Sequence, residues 1–267
     1  MVQRHDDEQL PHLYGRHRQP IGTAYHAGQP PPVVSDLSYL NTVTLLSWNL
    51  YAGWTRNTSD HYYESLYLPD YTLITPVWDD RTKTTWSVAL SCRKNFREAH
   101  LSLSGQTDYS YNKEYVAQNE RADYLRYHAL HASLSTQWSG LSWFQPKLTL
   151  AGNLSWKKPD AFSATDNLLK NAYYSLTMDF YPISKLRLYA DFSQSVFEIA
   201  HSHYSVNSFL NAGLRYDFHP RWTVSADLSN LLNRKDYEVS LYQGANFLYY
   251  RVPLRGREFL VSLRFKY

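Results

Sequence analysis

The 267-residue sequence is poor in sulfur, in net charge and in long apolar runs, and each shortage closes off a class of protein. A single cysteine, Cys92, excludes an intrachain disulfide framework and any zinc site built on several cysteines. It falls in the apolar register Trp86, Val88, Leu90, Cys92, where a small hydrophobe belongs. The 27 basic and 24 acidic residues nearly cancel, to +3, and are scattered without the clustered basic face that nucleic-acid binding requires. No nucleic-acid partner is expected.

Apolar runs are equally scarce. Leu37 to Thr55 is uncharged and long enough to be weighed as a membrane helix, but Asn41, Thr42, Thr44, Ser47 and Asn49 interrupt it. Within it Leu46, Trp48, Leu50, Ala52 and Trp54 alternate as a strand does. A mean hydropathy of -0.52 is too polar for a helical membrane protein, yet it suits strands that show lipid only every second side chain. The opening Met1-Val2-Gln3-Arg4-His5-Asp6-Asp7-Glu8 carries no apolar signal-peptide core.

Signatures of chemistry are lacking too. There is no Gly-x-Ser-x-Gly elbow, no phosphate-cradling glycine loop and no His-Glu-x-x-His. Of 11 histidines, the close pairs His201/His203 and His128/His131 have no carboxylate or cysteine at ligand spacing, and they read as solvated loop histidines. Asp60-His61 could serve acid–base chemistry, but neighbours in a strand point apart. No catalytic residue, metal or cofactor is expected.

What the chain has is aromatic side chains and a period of two. Aromatics make up 16 % of residues, with 24 Tyr and 8 Trp, the types that settle at membrane interfaces. The last eleven residues are the clearest case. Phe259, Val261, Leu263, Phe265 and Tyr267 share one face of an extended strand, and Glu258, Ser262, Arg264 and Lys266 share the other. Only Leu260 breaks the pattern. Further stripes run Trp86 to Cys92, Leu101 to Leu103, Leu130 to Trp138, Leu148 to Trp156, Tyr174 to Phe180, Leu186 to Phe192, Leu210 to Phe218 and Trp222 to Leu228. With a strand over Leu40 to Thr55 and the last one, this predicts about ten strands of the ~9–11 residues that a tilted crossing needs.

A soluble sandwich would show the same period. The connections separate the two cases. Short links at His219-Pro220-Arg221, Pro182-Ile183-Ser184 and Lys94 to Arg97 alternate with long polar ones at Asn57 to Lys83, Asn112 to Asp123, Lys157 to Lys170, Ser193 to Ser205 and Asn233 to Pro253. Such a succession predicts an all-β, antiparallel up-and-down transmembrane barrel, with short periplasmic turns and long extracellular loops. Charges on the lumen stripe, Lys185, Arg187, Asp191, Arg215, Asp217, Asp227, Arg264 and Lys266, are expected to pair across neighbouring strands.

Two linked motifs go further. Asp227-Leu228-Ser229-Asn230-Leu231-Leu232-Asn233 with the following Tyr237, and Pro253-Leu254-Arg255-Gly256-Arg257-Glu258-Phe259 leading into the aromatic-ended strand, resemble the C-terminus of TonB-dependent outer-membrane receptors. The phrase Tyr67-Leu68-Pro69-Asp70-Tyr71-Thr72-Leu73-Ile74-Thr75 and Gly28-Gln29-Pro30 are similar to Bacteroidota members of that group. The resemblance implies a nutrient transporter and not an enzyme. Its barrel would have about 22 strands, closed by an N-terminal plug that an inner-membrane energy-coupling protein opens. It also implies that Phe259, Val261, Leu263, Phe265 and Tyr267 are the signal read by the barrel-assembly machinery.

Plug, coupling box and over half the strands are not within these 267 residues. The expected object is therefore the C-terminal barrel part of such a receptor, with residues 1–35 a loop or partial strand and 36–267 the barrel segment. Its partners would be outer-membrane lipid, the assembly machinery, and the parent's plug and N-terminal strands, and it would not transport alone. The alternatives are a complete ten-strand barrel, porin-like or an omptin-like protease, and a soluble lectin-like sandwich.

Overall fold

The computed structural model describes residues 12–16, 32–68, 71–158, 167–200, 203–243 and 246–266. Every regular element among them is a strand, and no helix is long and apolar enough to cross a membrane. The strands are β1 (His12–Arg16), β2 (Val33–Asn41), β3 (Leu46–Ser59), β4 (Tyr62–Tyr67), β5 (Thr72–Val77), β6 (Arg81–Phe96), β7 (Leu101–Gln118) and β8 (Arg121–Trp138). They continue as β9 (Phe144–Lys157), β10 (Asn167–Ile183), β11 (Leu186–Ala200), β12 (His203–His219), β13 (Trp222–Ser229), β14 (Asp236–Gln243), β15 (Asn246–Pro253) and β16 (Glu258–Phe265).

Twelve of them form an antiparallel meander in the order β1-β2-β3-β6-β7-β8-β9-β10-β11-β12-β13-β16. The hairpin β4–β5 interrupts it, with β4 lying parallel to the far end of β7 through Glu64 and Ser65 opposite Ala117 and Gln118. The hairpin β14–β15 is a separate two-stranded ribbon. The meander is the expected all-β, up-and-down architecture; nine of the ten expected strands are present as β6 to β13 and β16, and the tenth, Leu40 to Thr55, only from Leu46 onward, as β3. The count is larger because β1, β2 and the two hairpins were not expected.

Three expected segments differ. Ser193 to Ser205 is not a long loop, since β11 runs to Ala200 and β12 begins at His203. Leu40 to Thr55 is not one strand: residues 42–45 turn the chain between β2 and β3. Asn41 makes that turn, its Oδ1 accepting the backbone N–H groups of Val43 at 3.0 Å and Thr44 at 2.9 Å, while Leu45 takes the left-handed conformation at φ 52°. Asn112 to Asp123 is not a loop either, since β7 and β8 run through it to a two-residue turn at Asn119 and Glu120, with φ 48° and 63°. Two consecutive positive φ values match the right-handed twist of a tight hairpin.

The side chains sort into two faces. Starting at Trp48, the level partners across the sheet are Cys92, Gly105, Leu134, Leu150, Tyr174, Gln194 and Ser208. On that face lie half-buried Leu50 and exposed Val88, Leu90, Leu134, Leu148, Leu188 and Leu214. Only Ala117, Leu125 and Leu169 are buried apolar residues among those described. A sandwich would stack a second sheet about 10 Å away on the apolar side. No second layer covers it among the described residues.

Aromatic rings edge the apolar face. On the side of the short turns Tyr39 stacks on Trp48 at 5.8 Å, Phe144 on Phe180 at 4.7 Å, and Trp222 lies 4.7 Å from Phe265. On the opposite side Trp54 lies 6.2 Å from Trp86, and His128 stacks on Trp156 at 5.0 Å. The edge slants. Ser208 is level with Trp48 after seven strand steps, yet the aromatic of β12 at this edge is Phe218, ten residues nearer the turn. At about 3.3 Å per residue against about 4.8 Å between strands, this is a tilt of roughly 45°. Spanning barrels have that tilt and such aromatic girdles.

Candidate functional site: the inner wall and its rim

The other face is polar, and several of its charges pair within it. Arg187 and Arg215 stand directly opposite each other, an arrangement that costs energy unless each finds an acid. Arg187 donates to Asp179 on β10 at 2.7–2.8 Å, and Arg215 lies 3.5 Å from Asp217. Thr177 donates to Asp191 at 2.8 Å and Thr223 to Asp217 at 2.5 Å. Arg187, Arg215 and Asp217, with Tyr181, Ser184 and Lys185, border a cavity of about 200 Å³ near the short turns. A larger open groove of about 560 Å³ lies across β2 to β8, lined on its polar side by Ser38, Asn49, Ser91, Ser104, Gln106 and Ser133.

One glycine shapes this wall. Tyr189, Gly213 and Asp227 are level neighbours on β11, β12 and β13. Tyr189 lies across Gly213 and donates its hydroxyl to Asp227, and a Cβ added at Gly213 would meet the Tyr189 Oη at 2.5 Å. Leu260, the one break in the last stripe, stands opposite Asp227 on this same inner face. So an apolar group sits in a wet wall without disturbing the pairing.

At the rim away from the short turns, the hairpin β14–β15 folds over the inner face of β11 and β12. Asn207, fully buried, holds it: its Nδ2 donates to the Glu238 carbonyl at 2.7 Å, and its Oδ1 accepts from the Glu238 N–H at 3.1 Å and from Arg234 at 3.3 Å. Ser240, also buried, donates to the Glu198 carbonyl at 2.6 Å. Tyr237 packs between Phe197 at 6.0 Å and Phe209 at 6.3 Å. A cavity of about 380 Å³ at the hairpin's base is bordered by Leu232, Asn233, Arg234, Lys235, Asp236, Glu238 and Arg251. The Arg251 guanidinium, 2.7 Å from Asp236, holds that carboxyl below its ordinary range. The Ser205 hydroxyl at 2.5 Å does the same for Glu238.

The two linked motifs meet here. Asn230 and Asn233 both adopt positive φ, and Asn230 donates to the carbonyls of Arg234 at 2.7 Å and Arg255 at 2.9 Å. Its Oδ1 accepts from the Arg234 N–H at 2.8 Å. Arg257 donates to the Leu231 carbonyl at 2.9 Å, and a Cβ on Gly256 would come within 2.9 Å of Asn233 Oδ1. The motifs thus form a clasp at the hairpin's base. Asn207 was not foreseen, because an asparagine on an inward stripe carries no mark of what folds onto it.

Other sequence candidates are dispersed. Asp60 and His61 do meet, at 2.6 Å, because a bend and not a strand carries them, and the imidazole lies beside Tyr63 and Trp78. His128 faces the apolar side and His131 the inner side, bonded to Asn153 at 2.6 Å. Among the described residues no group of three or more His, Cys, Asp or Glu is gathered for a metal; His201 lies outside them. Phe259, Val261, Leu263 and Phe265 share the apolar face of β16, an edge strand with one neighbour, β13. Tyr267 lies outside the described residues.

Among solved structures, the chain is similar to the ferric enterobactin receptor of Pseudomonas aeruginosa, in a single-residue mutant form. The TM-score is 0.50 at 10% sequence identity, over 85% of this chain and 39% of that one. The likeness is one of fold: the sheet is of the kind that forms a receptor β-barrel. The chain spans about two-fifths of that receptor's length. No protein-family model and no curated protein sequence matches the chain.

Proposed function

We propose that this chain is the C-terminal barrel part of a TonB-dependent outer-membrane receptor for nutrient uptake. The observation that carries the reading is the pairing of two faces on one tilted meander. One face is apolar and edged with aromatics; the other is polar and internally bonded, with a rim hairpin clasped over it by the residues that resemble the family's C-terminal motifs. The Bacteroidota-like cast rests on the Tyr67 to Thr75 phrase and on Gly28-Gln29-Pro30 alone. In this reading β1 and β16 are edges that the parent's other strands complete, since hydrocarbon leaves no unpaired strand edge satisfied. The chain transports no solute by itself, and it catalyses nothing. The assembly machinery reads the signal carried by Phe259, Val261, Leu263, Phe265 and Tyr267.

Reconstitution tests this. The purified chain in liposomes is expected to give no discrete conductance and no solute uptake. Within an exported receptor that supplies a plug and the remaining strands, Phe265→Asp is expected to lower the amount of heat-modifiable barrel in outer-membrane fractions. A reproducible small pore from the chain alone, or hydrolysis of a peptide or lipid, would instead establish a complete small barrel.

A further inference from the structure

The apolar face ends, on the rim away from the short turns, in cations. The level row Trp54, Trp86, Tyr111, His128, Trp156 closes the apolar band across β3, β6, β7, β8 and β9. The next row on the same face reads Arg56, Thr84, Lys113, Arg126, and Lys158 follows beside Arg126, donating its backbone N–H to the Arg126 carbonyl at 3.2 Å. On β10, Lys170 faces the same way, opposite Leu154. The strand tilt raises it toward the height of the others.

This row is short of anions. Lys113 and Arg126 are direct cross-strand partners, a like-charge pair that destabilises a sheet unless something negative sits on it. None of the five cations makes an ion pair among the described residues, although Lys113 rests 4.6 Å from the Tyr124 ring. Acids of the region are engaged elsewhere: Glu114 pairs with Lys83 at 2.7 Å, and buried Glu198 accepts the Lys170 backbone N–H at 2.9 Å. Arg56, Arg126, Lys158 and Lys170 are exposed.

We propose that Lys113, Arg126, Lys158 and Lys170, with Arg56 at one end, form a docking surface for the phosphate groups of a phosphorylated glycolipid in the outer leaflet. Its acyl chains lie on the apolar face below the stacked His128 and Trp156. A free anion would explain the charge alone. Only a lipid explains why the cations sit outward, one row above an aromatic edge, where an acyl chain and its headgroup meet the wall together. This site rests on the outer-membrane reading above.

The test refolds the full chain into phosphatidylcholine vesicles and titrates three probes: bisphosphorylated lipid A, the same lipid A with its phosphates removed, and inorganic phosphate. The phosphorylated lipid is expected to bind at least tenfold more tightly than the dephosphorylated one. At about fivefold per cation near a charged surface, Arg126→Gln, Lys158→Gln and Lys170→Gln together should weaken it about 100-fold. The charge-keeping triple Arg126→Lys, Lys158→Arg and Lys170→Arg should retain most of the binding, which separates lost charge from misfolding. Arg97→Gln, Arg221→Gln and Lys266→Gln, at the opposite rim, should change nothing. Equal binding of the two lipids, or an unaffected glutamine triple, overturns the site. Inorganic phosphate binding as tightly as lipid A overturns the lipid as its occupant. A chain that inserts neither alone nor when joined to the plug and remaining strands of an exported receptor overturns the outer-membrane reading instead.

Discussion

Leu188 and Tyr189 are neighbours on β11, and they show two solutions to one problem. Tyr189 crosses Gly213 to reach Asp227, and around it Arg187, Thr177 and Ser225 find Asp179, Asp191 and Ser262. Leu188 has only Phe180 and Leu214 level with it, and it stays 37% exposed. The inner face pairs its polar groups with one another; the outer face leaves its apolar side chains uncovered among the described residues. The same backbone, read one residue apart, serves two solvents, so placement and not composition carries the meaning of this chain.

That contrast breaks most visibly with a charge. Leu214→Arg, level with Leu188 and four residues in from the edge residue Phe218, puts a guanidinium on the lipid side of the wall, at an expected cost of about 2 kcal/mol, between the ~2–4 of midplane and the ~0–1 of the interface. Tyr189→Arg puts the same group beside the Asp227 carboxylate on the wet side, at an expected cost below about 1 kcal/mol. Denaturant titration of the lipid-refolded proteins measures both. Equal losses would mean that the two faces do not differ in solvent.

The wall was legible because period-two alternation survives wherever one face must be apolar. Each of the ten expected stripes is a strand for that reason, and even Leu260 is accounted for by its place opposite Asp227. What escaped lies where that constraint lapses. The turn at residues 42–45 contains no glycine or proline; Asn41 caps it with a side chain that sequence patterns do not distinguish from a strand residue. Past the aromatic row Tyr111 and His128 the ends of β7 and β8 carry no apolar stripe, so their Asn, Lys, Glu and Gln read as loop, and Asn119-Glu120 is not the Asn-Gly that marks a tight hairpin. At the rim, the motif residues Asn230, Asn233 and Gly256 pointed to a family, but their role as a clasp appears only when the two segments lie together.

A second contrast sets the rim hairpin against the wall. The hairpin hangs on few groups, chiefly Asn207, whose loss leaves the Glu238 N–H and carbonyl without their partner, at an expected cost of about 1–3 kcal/mol. In Asn207→Ala, amide exchange over residues 236–243 and 246–253 should quicken while exchange in β9 and β10 stays as it was. Acid should act on the same element. Asp236 and Glu238 have carboxyl groups held below their ordinary range, so what they add to the folded hairpin is fully present above that range. It is lost as pH falls through their lowered values. Exchange should therefore quicken in the hairpin before the wall as pH drops, and simultaneous opening would show that the two regions are one unit.

The smallest effect on stability is expected from the sharpest comparison. Ser91 and Cys92 are adjacent on β6, Ser91 level with Asn49 and Gln106 on the inner face and Cys92 level with Trp48 and Gly105 on the outer one. Cys92→Ser exchanges one small side chain for another, and Ser91→Cys in that background adds a thiol on the inner face; each should change stability by no more than about 0.5 kcal/mol. Their chemistry should nonetheless separate, because a thiol reacts as its thiolate, which hydrocarbon suppresses and water permits. A charged, membrane-impermeant maleimide is expected to label Cys92 in the unfolded chain but not after insertion into lipid. The Ser91→Cys thiol should be labelled in both. If the two positions label alike, the sheet is wetted on both faces and the outward stripe does not meet lipid. If they differ, a shift of one residue changes the solvent of a side chain with almost no change in stability, as the alternation of the whole wall requires.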